Sequence, residues 1–150
     1  MESISKGVAA YDFELPSVED KLVSLQSLRG KVVLVDFWFT GCSACKAFAG
    51  SLEKAVIPQY SDTSVAFVSI CLDKDKNKWL KSVDQGGYTT ARSINLYTEG
   101  RGFEHPLVRF YNISSCPFLL LIDREGNIIS STVPRTSKEL CFAIDEALKK

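Results

Sequence analysis

Two cysteines, Cys42 and Cys45, are separated by only two residues, Ser43 and Ala44. Apolar residues then recur at three- and four-residue spacing, which predicts a helix that begins at the first cysteine and ends near Pro58. Two thiols at this spacing can close a small disulfide ring with little backbone movement. At a helix N-terminus the first thiol faces unpaired backbone N–H groups and the positive end of the helix dipole, which favour a thiolate.

This position predicts different roles for the two cysteines. In such motifs the thiol pKa falls from about 8.5 into a range of roughly 3.5 to 7.5. We therefore expect Cys42 to be the attacking nucleophile and Cys45, one turn further into the helix, to resolve the mixed disulfide. A structural zinc site is disfavoured because zinc needs four ligands, and the chain offers one close cysteine pair and a single histidine, His105.

The strands that would position this pair are visible as apolar runs. The segment KVVLVDFWF, from Lys31, lacks alternation and is typical of a central strand covered on both faces. The segment SVAFVSICL, residues 64–72, predicts a second buried strand parallel to it. Two short extended pieces, 12–15 and 22–25, predict an N-terminal hairpin. These elements indicate an α/β protein.

The second half of the chain completes the predicted order. A polar helix is expected over 73–83, irregular structure over 86–102 and a short helix around 103–111. Residues 117–122 and 127–133 lie on either side of the turn-forming DREG and predict an antiparallel hairpin. Thr136 and Glu139 read as a capping box that opens a last helix.

Composition narrows the function classes. The 150-residue chain holds 18 basic and 18 acidic residues and has zero formal net charge, so it lacks the positive field that nucleic acid or an anionic membrane would need. Its longest apolar run, 32–39, is interrupted by Asp36 and is far shorter than the roughly 20 residues of a membrane helix. No secretory signal is visible at the N-terminus. Five cysteines, an odd number, argue against a disulfide-stapled secreted fold.

The string VVLVDFWFTGCSACK resembles the active-site strand and helix of thioredoxins. Together with SSCPFLLLIDREGNII and FELP…VSLQSLRGK, it is similar to the membrane-anchored or periplasmic thiol-disulfide oxidoreductases of the TlpA and ResA type. The resemblance implies one thioredoxin-fold domain over 1–150, with a central mixed sheet flanked by helices. It also implies an N-terminal β-hairpin over about 10–28 and a helical insertion over about 73–112, before the strand that follows a cis-proline.

The resemblance further implies a setting and partners. The setting is the bacterial cell envelope or periplasm, and a leader, an anchor or further domains outside this sequence stay open. The partners are disulfide-containing or dithiol proteins and an upstream thiol electron donor, with no cofactor. The resemblance to cell-envelope reductants favours reduction of the partner over its oxidation. The residues alone leave the direction of exchange open.

Carried over by position, Cys42 matches the family nucleophile, Cys45 the resolving thiol and Pro117 the cis-proline that faces them. Asp36 falls where thioredoxins keep a buried carboxylate. A carboxylate in an apolar strand is desolvated, which raises its pKa, so Asp36 can relay the proton of Cys45; its alternative is a structural hydrogen bond. A cis peptide at Pro117 would present neighbouring backbone to an extended substrate chain.

The chain also departs from the family pattern. Ser43 and Ala44 replace the Gly and Pro of thioredoxin, and Gly41 replaces the usual tryptophan. Cys116 stands directly before the cis-proline, where it is either a small residue tolerated in a tight loop or a third thiol that competes for the mixed disulfide or helps Cys42 hold a soft metal ion. We expect substrate contacts at five residues: Trp38, Gly41, Ser43, Ala44 and Cys116. For Trp38, packing in the core beside the motif is the alternative.

Residues outside this set receive no chemical role. Cys71 and Cys141 lie in apolar patterns and are expected in the core. His105 is expected at the surface.

Three other functions are compatible with the sequence. A peroxiredoxin-like thiol peroxidase would need a threonine three residues before its cysteine, whereas Thr40 lies two before Cys42. A copper-binding or metal-delivery domain could use Cys42 and Cys45 with Cys116 or His105. A non-catalytic binding module would use only the cis-proline surface.

Overall fold

The computed structural model describes residues 7–150, so residues 1–6 of the predicted domain lie outside the described part. The elements are β1 Glu14–Pro16, β2 Leu22–Ser24, β3 Val32–Trp38, α1 Ser43–Ser51, β4 Val65–Cys71, α2 Lys76–Gln85, β5 Ser93–Tyr97, α3 Pro106–Phe110, β6 Phe118–Ile122, β7 Ile128–Ser130 and α4 Ser137–Leu148. In the span 7–150, no helix combines the length and the apolar character that crossing a bilayer requires.

A five-stranded mixed sheet in the order β5-β4-β3-β6-β7 forms the centre of the molecule. Strand β4 runs parallel to β3, and β5 runs parallel to β4. On the other side of β3, β6 is antiparallel to β3 and β7 is antiparallel to β6. All seven residues of β3 are buried. This confirms the prediction of a central strand covered on both faces.

Alternate residues of β3 feed two separate cores. Val33, Val35 and Phe37 belong to a cluster on one face, together with residues of the N-terminal segment and α3. Val32 and Leu34 belong to a cluster on the other face, which α1 and α4 cover. Beyond these, an aromatic and sulfur cluster lies at the carboxyl end of β3 and β4. Its buried members are Trp38, Cys42, Cys45, Cys71, Trp79, Tyr88 and Tyr97.

The predicted N-terminal hairpin is present, with β1 antiparallel to β2. The segment that leads into it spans the sheet from one edge to the other. Ala9 bridges to Asn127 beside β7, and Ser17 bridges to Leu96 of β5. Between them, Phe13 and Leu15 are buried in the first core.

The prediction of irregular structure over 86–102 is wrong in part, because Ser93–Tyr97 forms strand β5, parallel to β4. Polar and apolar residues alternate through SINL, as suits a strand at the edge of a sheet with one face in the core. Two glycines precede this short segment and two follow it, and glycines in such numbers are typical of irregular structure.

Two smaller predictions also need correction. Helix α4 begins where predicted, but the Thr136 hydroxyl donates to the Glu139 carboxylate (2.7 Å), and no side chain caps the helix. The prediction that His105 lies at the surface is wrong, because its side chain is buried. Its Nδ1 accepts the N–H of Leu107 at 3.0 Å and caps α3. Burial, followed by the nearby charge of Arg101, lowers the pKa of His105.

Candidate active site

The two cysteines of the motif lie at the N-terminus of α1 and form a disulfide, with their Cα atoms 5.2 Å apart. Cys42 is the N-cap, in extended conformation, and its sulfur accepts the backbone N–H of Cys45 at 3.1 Å. The first cysteine therefore opens the helix as predicted. When the disulfide opens, the same N–H and the helix dipole are placed to stabilise a thiolate at Cys42.

The helix that carries the pair is fixed by its buried stripe. Cys45, Phe48, Leu52 and Val56 are all buried, and the helix continues beyond Ser51 as a wider π-helical turn through Val56. Cys42 is 7% exposed and Cys45 is 2% exposed. A partner thiol approaching from solvent therefore meets Cys42 first.

A loop before β6 lies against the disulfide. The peptide bond between Cys116 and Pro117 is cis, and the carbonyl oxygen of Cys116 lies 3.7 Å from Sγ of Cys42. The Arg135 guanidinium donates to the Pro117 carbonyl (2.8 Å) and ties this loop to the chain before α4. The structure thus brings Cys42 and Cys45 together with Cys116 and Pro117. The first and the last of these four residues are 75 positions apart in the sequence.

The side chain of Cys116 is a free thiol, partly buried against the sulfur cluster. Burial, followed by the charge of Asp36, raises its pKa to about 12. It is therefore a neutral thiol near pH 7. Cys71 and Cys141 are free and buried in the core, as their apolar contexts predict.

Asp36 is the buried carboxyl group of β3, 7% exposed. It lies on the same face of the strand as Leu34 and Trp38, because side chains alternate along a strand. Burial raises its pKa to about 7, and the Ser69 hydroxyl, which donates to Oδ1 at 2.6 Å, offsets part of that rise. A group with this pKa can accept and release a proton near neutral pH.

Of the two roles expected for Trp38, the structure has core packing and not substrate contact. Its side chain is fully buried and its ring stacks on Tyr88, with 4.8 Å between centroids and 15° between planes. Tyr88 belongs to the segment after α2, which is distant in sequence. The position of Trp38 beside the motif therefore does not predict that another ring covers it. Gly41, Ser43 and Ala44 are exposed around the disulfide.

Four residues that the sequence analysis did not select hold the turn before Cys42. Thr40 donates its backbone N–H and its hydroxyl to the two carboxylate oxygens of Asp73, at 2.8 and 2.5 Å. The Thr40 hydroxyl also lies 2.7 Å from that of Ser82. The Gly41 N–H donates to the Tyr88 hydroxyl (2.6 Å). One signal was available: Thr40 and Asp73 follow adjacent parallel strands, so their side chains meet at one edge.

We searched the described residues for side chains grouped closely enough to bind a metal ion. Across residues 7–150, no group of three or more His, Cys, Asp or Glu side chains is arranged to hold a metal ion. The donor atom Nδ1 of His105, one of the residues considered for copper, is engaged in capping α3.

Residues 30–128 match the thioredoxin-like family. Thiol-disulfide oxidoreductase ResA of Bacillus thuringiensis strain Al Hakam is 24% identical over 138 residues, which cover 92% of this chain and 75% of that protein. Thioredoxin-like protein YneN of Bacillus subtilis strain 168 is 27% identical over 143 residues, which cover 95% and 80%.

A solved structure supports the fold. The thioredoxin domain of a thiol-disulfide oxidoreductase from Bacteroides vulgatus superposes with a TM-score of 0.79 at 24% identity, over 97% of this chain and 99% of that one. Together with the family match, this confirms the predicted fold: a mixed sheet flanked by helices and preceded by a hairpin.

Proposed function

Because this chain belongs to the thioredoxin-like family, we propose that it is a thiol-disulfide oxidoreductase that works through Cys42 and Cys45. The observation that carries this function is the disulfide at the tip of α1, where the sulfur of Cys42 accepts the N–H of Cys45 at 3.1 Å. Resemblance to the TlpA and ResA type, and the similarity to ResA, support the same activity.

The exchange proceeds in two steps. In the reducing direction the Cys42 thiolate attacks a sulfur of the partner's disulfide, forming a mixed disulfide and releasing one partner thiolate. The Cys45 thiolate then attacks Sγ of Cys42, which releases the second partner thiolate and leaves the Cys42–Cys45 disulfide. Two electrons pass to the partner, and the reverse order oxidises a partner dithiol.

Asp36 supplies the proton step in this scheme. Cys45 is 2% exposed, so its thiol has little access to water and needs an internal base before it can attack. Asp36, on the sheet face that α1 covers and with a pKa of about 7, accepts that proton. Its hydrogen bond from Ser69 stabilises the charged form before the transfer.

The partner is bound beside the exposed residues around the disulfide. Gly41, Ser43 and Ala44 leave room for an extended chain next to Cys42, and the backbone of Cys116 and Pro117 lies on the other side of the sulfur. Main-chain hydrogen bonds at such a site would permit many partner sequences.

The partners are disulfide-containing or dithiol proteins, and an upstream thiol protein regenerates the dithiol. The resemblance to the TlpA and ResA type favours the bacterial cell envelope or periplasm as the setting and reduction of the partner as the direction of exchange. Residues 1–150 act as one unit, with the hairpin over about 10–28 as part of it. The insertion over about 73–112 shapes the surroundings of the motif.

Insulin-disulfide reduction tests this function. We expect the reduced wild-type protein to accelerate precipitation of the insulin B chain, and Cys42→Ser to lose the acceleration entirely. Cys141→Ser, which removes a buried free cysteine of α4 outside the cluster of Cys42 and Cys45, is the matched control and should keep the wild-type rate. Equal rates for wild type and Cys42→Ser would overturn the assignment of the nucleophile.

A further inference from the structure

The chain reaches Cys42 through a turn in which Gly41 is bound by a distant side chain, that of Tyr88. Within this turn the N–H of Cys42 donates to the carbonyl of Phe39 at 3.2 Å. Gly41 has a φ of +100°, a left-handed conformation that glycine adopts most readily. Its N–H donates to the hydroxyl of Tyr88 at 2.6 Å, 47 residues further along the chain.

The ring of Tyr88 touches the elements on both sides of this turn. It stacks on Trp38 at the end of β3, and Nζ of Lys46, in α1, lies 4.9 Å from its centroid. Tyr88 is only 8% exposed, so these contacts fix its orientation. A single side chain therefore joins the strand before Cys42, the turn beside it and the helix after it.

These contacts matter most when the disulfide is open. In the oxidised protein the covalent bond to Cys45 holds Cys42 in place. In the dithiol that bond is absent, whereas the contacts of Tyr88 involve no cysteine and so do not depend on it. They keep Cys42 at the N-cap, where the Cys45 N–H and the helix dipole stabilise its thiolate.

We propose that Tyr88 is a positioning residue for disulfide exchange, holding Gly41, and through it Cys42, at the tip of α1 in the dithiol state. The inference rests on the proposed function only in requiring that Cys42 and Cys45 form a reversible redox couple. Loss of the Tyr88 hydroxyl destabilises the dithiol more than the disulfide. The couple then becomes harder to reduce, and the pKa of Cys42 rises.

The test compares Tyr88→Phe with Tyr97→Phe. Phenylalanine at 88 keeps the stacking on Trp38 and removes only the hydroxyl. Tyr97 belongs to the same buried cluster and stacks on Trp79 (4.6 Å between centroids), and within residues 7–150 its hydroxyl has no hydrogen-bond partner. It is therefore a matched control for the loss of a buried phenol oxygen.

Two measurements report on the dithiol: the pH dependence of Cys42 alkylation by iodoacetamide, and the equilibrium of the couple with a glutathione redox buffer. The other groups near Cys42 are common to all variants, so a shift reports the hydroxyl. They are Lys46 on α1, Asp36 on β3, Asp73 through Thr40, and Cys116 and Arg135 at the cis-proline loop.

One hydrogen bond changes an equilibrium by roughly two- to tenfold. For Tyr88→Phe we therefore expect the Cys42 pKa to rise by about half a unit and the equilibrium constant for reduction to fall about threefold. We expect no change for Tyr97→Phe.

Three results would overturn the inference: wild-type values for Tyr88→Phe in both measurements, an equal shift for Tyr97→Phe, or amide exchange of Gly41 in the wild-type dithiol as fast as in an unstructured peptide. The last needs no variant, since it is measured by NMR on the reduced protein. A wild-type protein that forms no reversible 42–45 disulfide in the glutathione buffer would instead refute the proposed function itself, and this inference with it.

Discussion

Replacing Asp36 with asparagine removes the ionisable group from β3 while keeping its size and an oxygen that can accept from Ser69. In the wild type, burial raises the pKa of Asp36 from its ordinary value of 3.8 to about 7. Between these two pH values the folded state binds more protons than the unfolded state. Stability is therefore lost as the pH rises through this window, because the folded protein must ionise a buried group.

The size of the effect follows from the shift. A difference of about three pKa units corresponds to about 4 kcal/mol between the limits of low and high pH, at about 1.36 kcal/mol per unit. Between pH 4.5 and 8.5 the wild type should lose about 3 kcal/mol of this. Asparagine avoids the loss, but it buries an amide N–H without an assured acceptor, at a cost of about 1–3 kcal/mol.

Urea unfolding of the oxidised proteins at half-unit pH steps measures this difference. We expect Asp36→Asn to gain about 3 kcal/mol on the wild type between pH 4.5 and 8.5, and to be the more stable protein at the upper end. Ser69→Ala removes the hydrogen bond that favours the charged form, so the window of Asp36 should extend to higher pH. A difference between Asp36→Asn and the wild type that stays constant across the range would refute the assigned burial and pKa.

Two further predictions concern the turn before Cys42. Gly41→Ala places a side chain at a φ of +100° and should lower the free energy of unfolding by about 1–2 kcal/mol, measured by urea unfolding; unchanged stability would contradict the left-handed turn. Thr40→Val removes the hydroxyl that Asp73 and Ser82 share and should cost about 1–2 kcal/mol, whereas Thr40→Ser should stay close to the wild type; equal losses in both would show that the hydroxyl contributes nothing.

The sequence predicts two kinds of site residue. One kind is recognised by its spacing along the chain, and the other by a polarity that differs from that of its neighbours. The cysteine pair needs only its own spacing and the helical period after it. Asp36 stands out because a carboxyl group interrupts an apolar strand, and its burial and raised pKa agree with that interpretation. Its role as proton acceptor, and the roles of the other site residues, remain proposals.

The parts that the sequence does not predict depend on contacts between distant segments. Trp38 is an aromatic residue four positions before Cys42, and only the covering ring of Tyr88 shows that it is closed to a substrate. The same distance along the chain hides the bond between Gly41 and Tyr88. Strand β5 is hard to predict for a different reason, since it has only five residues and glycines lie on both sides of it.

The bridges that Ala9 and Ser17 make to opposite sides of the sheet have a bearing on how other proteins can engage this molecule. A border strand with free backbone groups invites a foreign extended chain to join it, which promotes fibril-like association. Here a single stretch of polypeptide bridges to one residue at each border and occupies backbone groups there, which disfavours strand addition at those two positions.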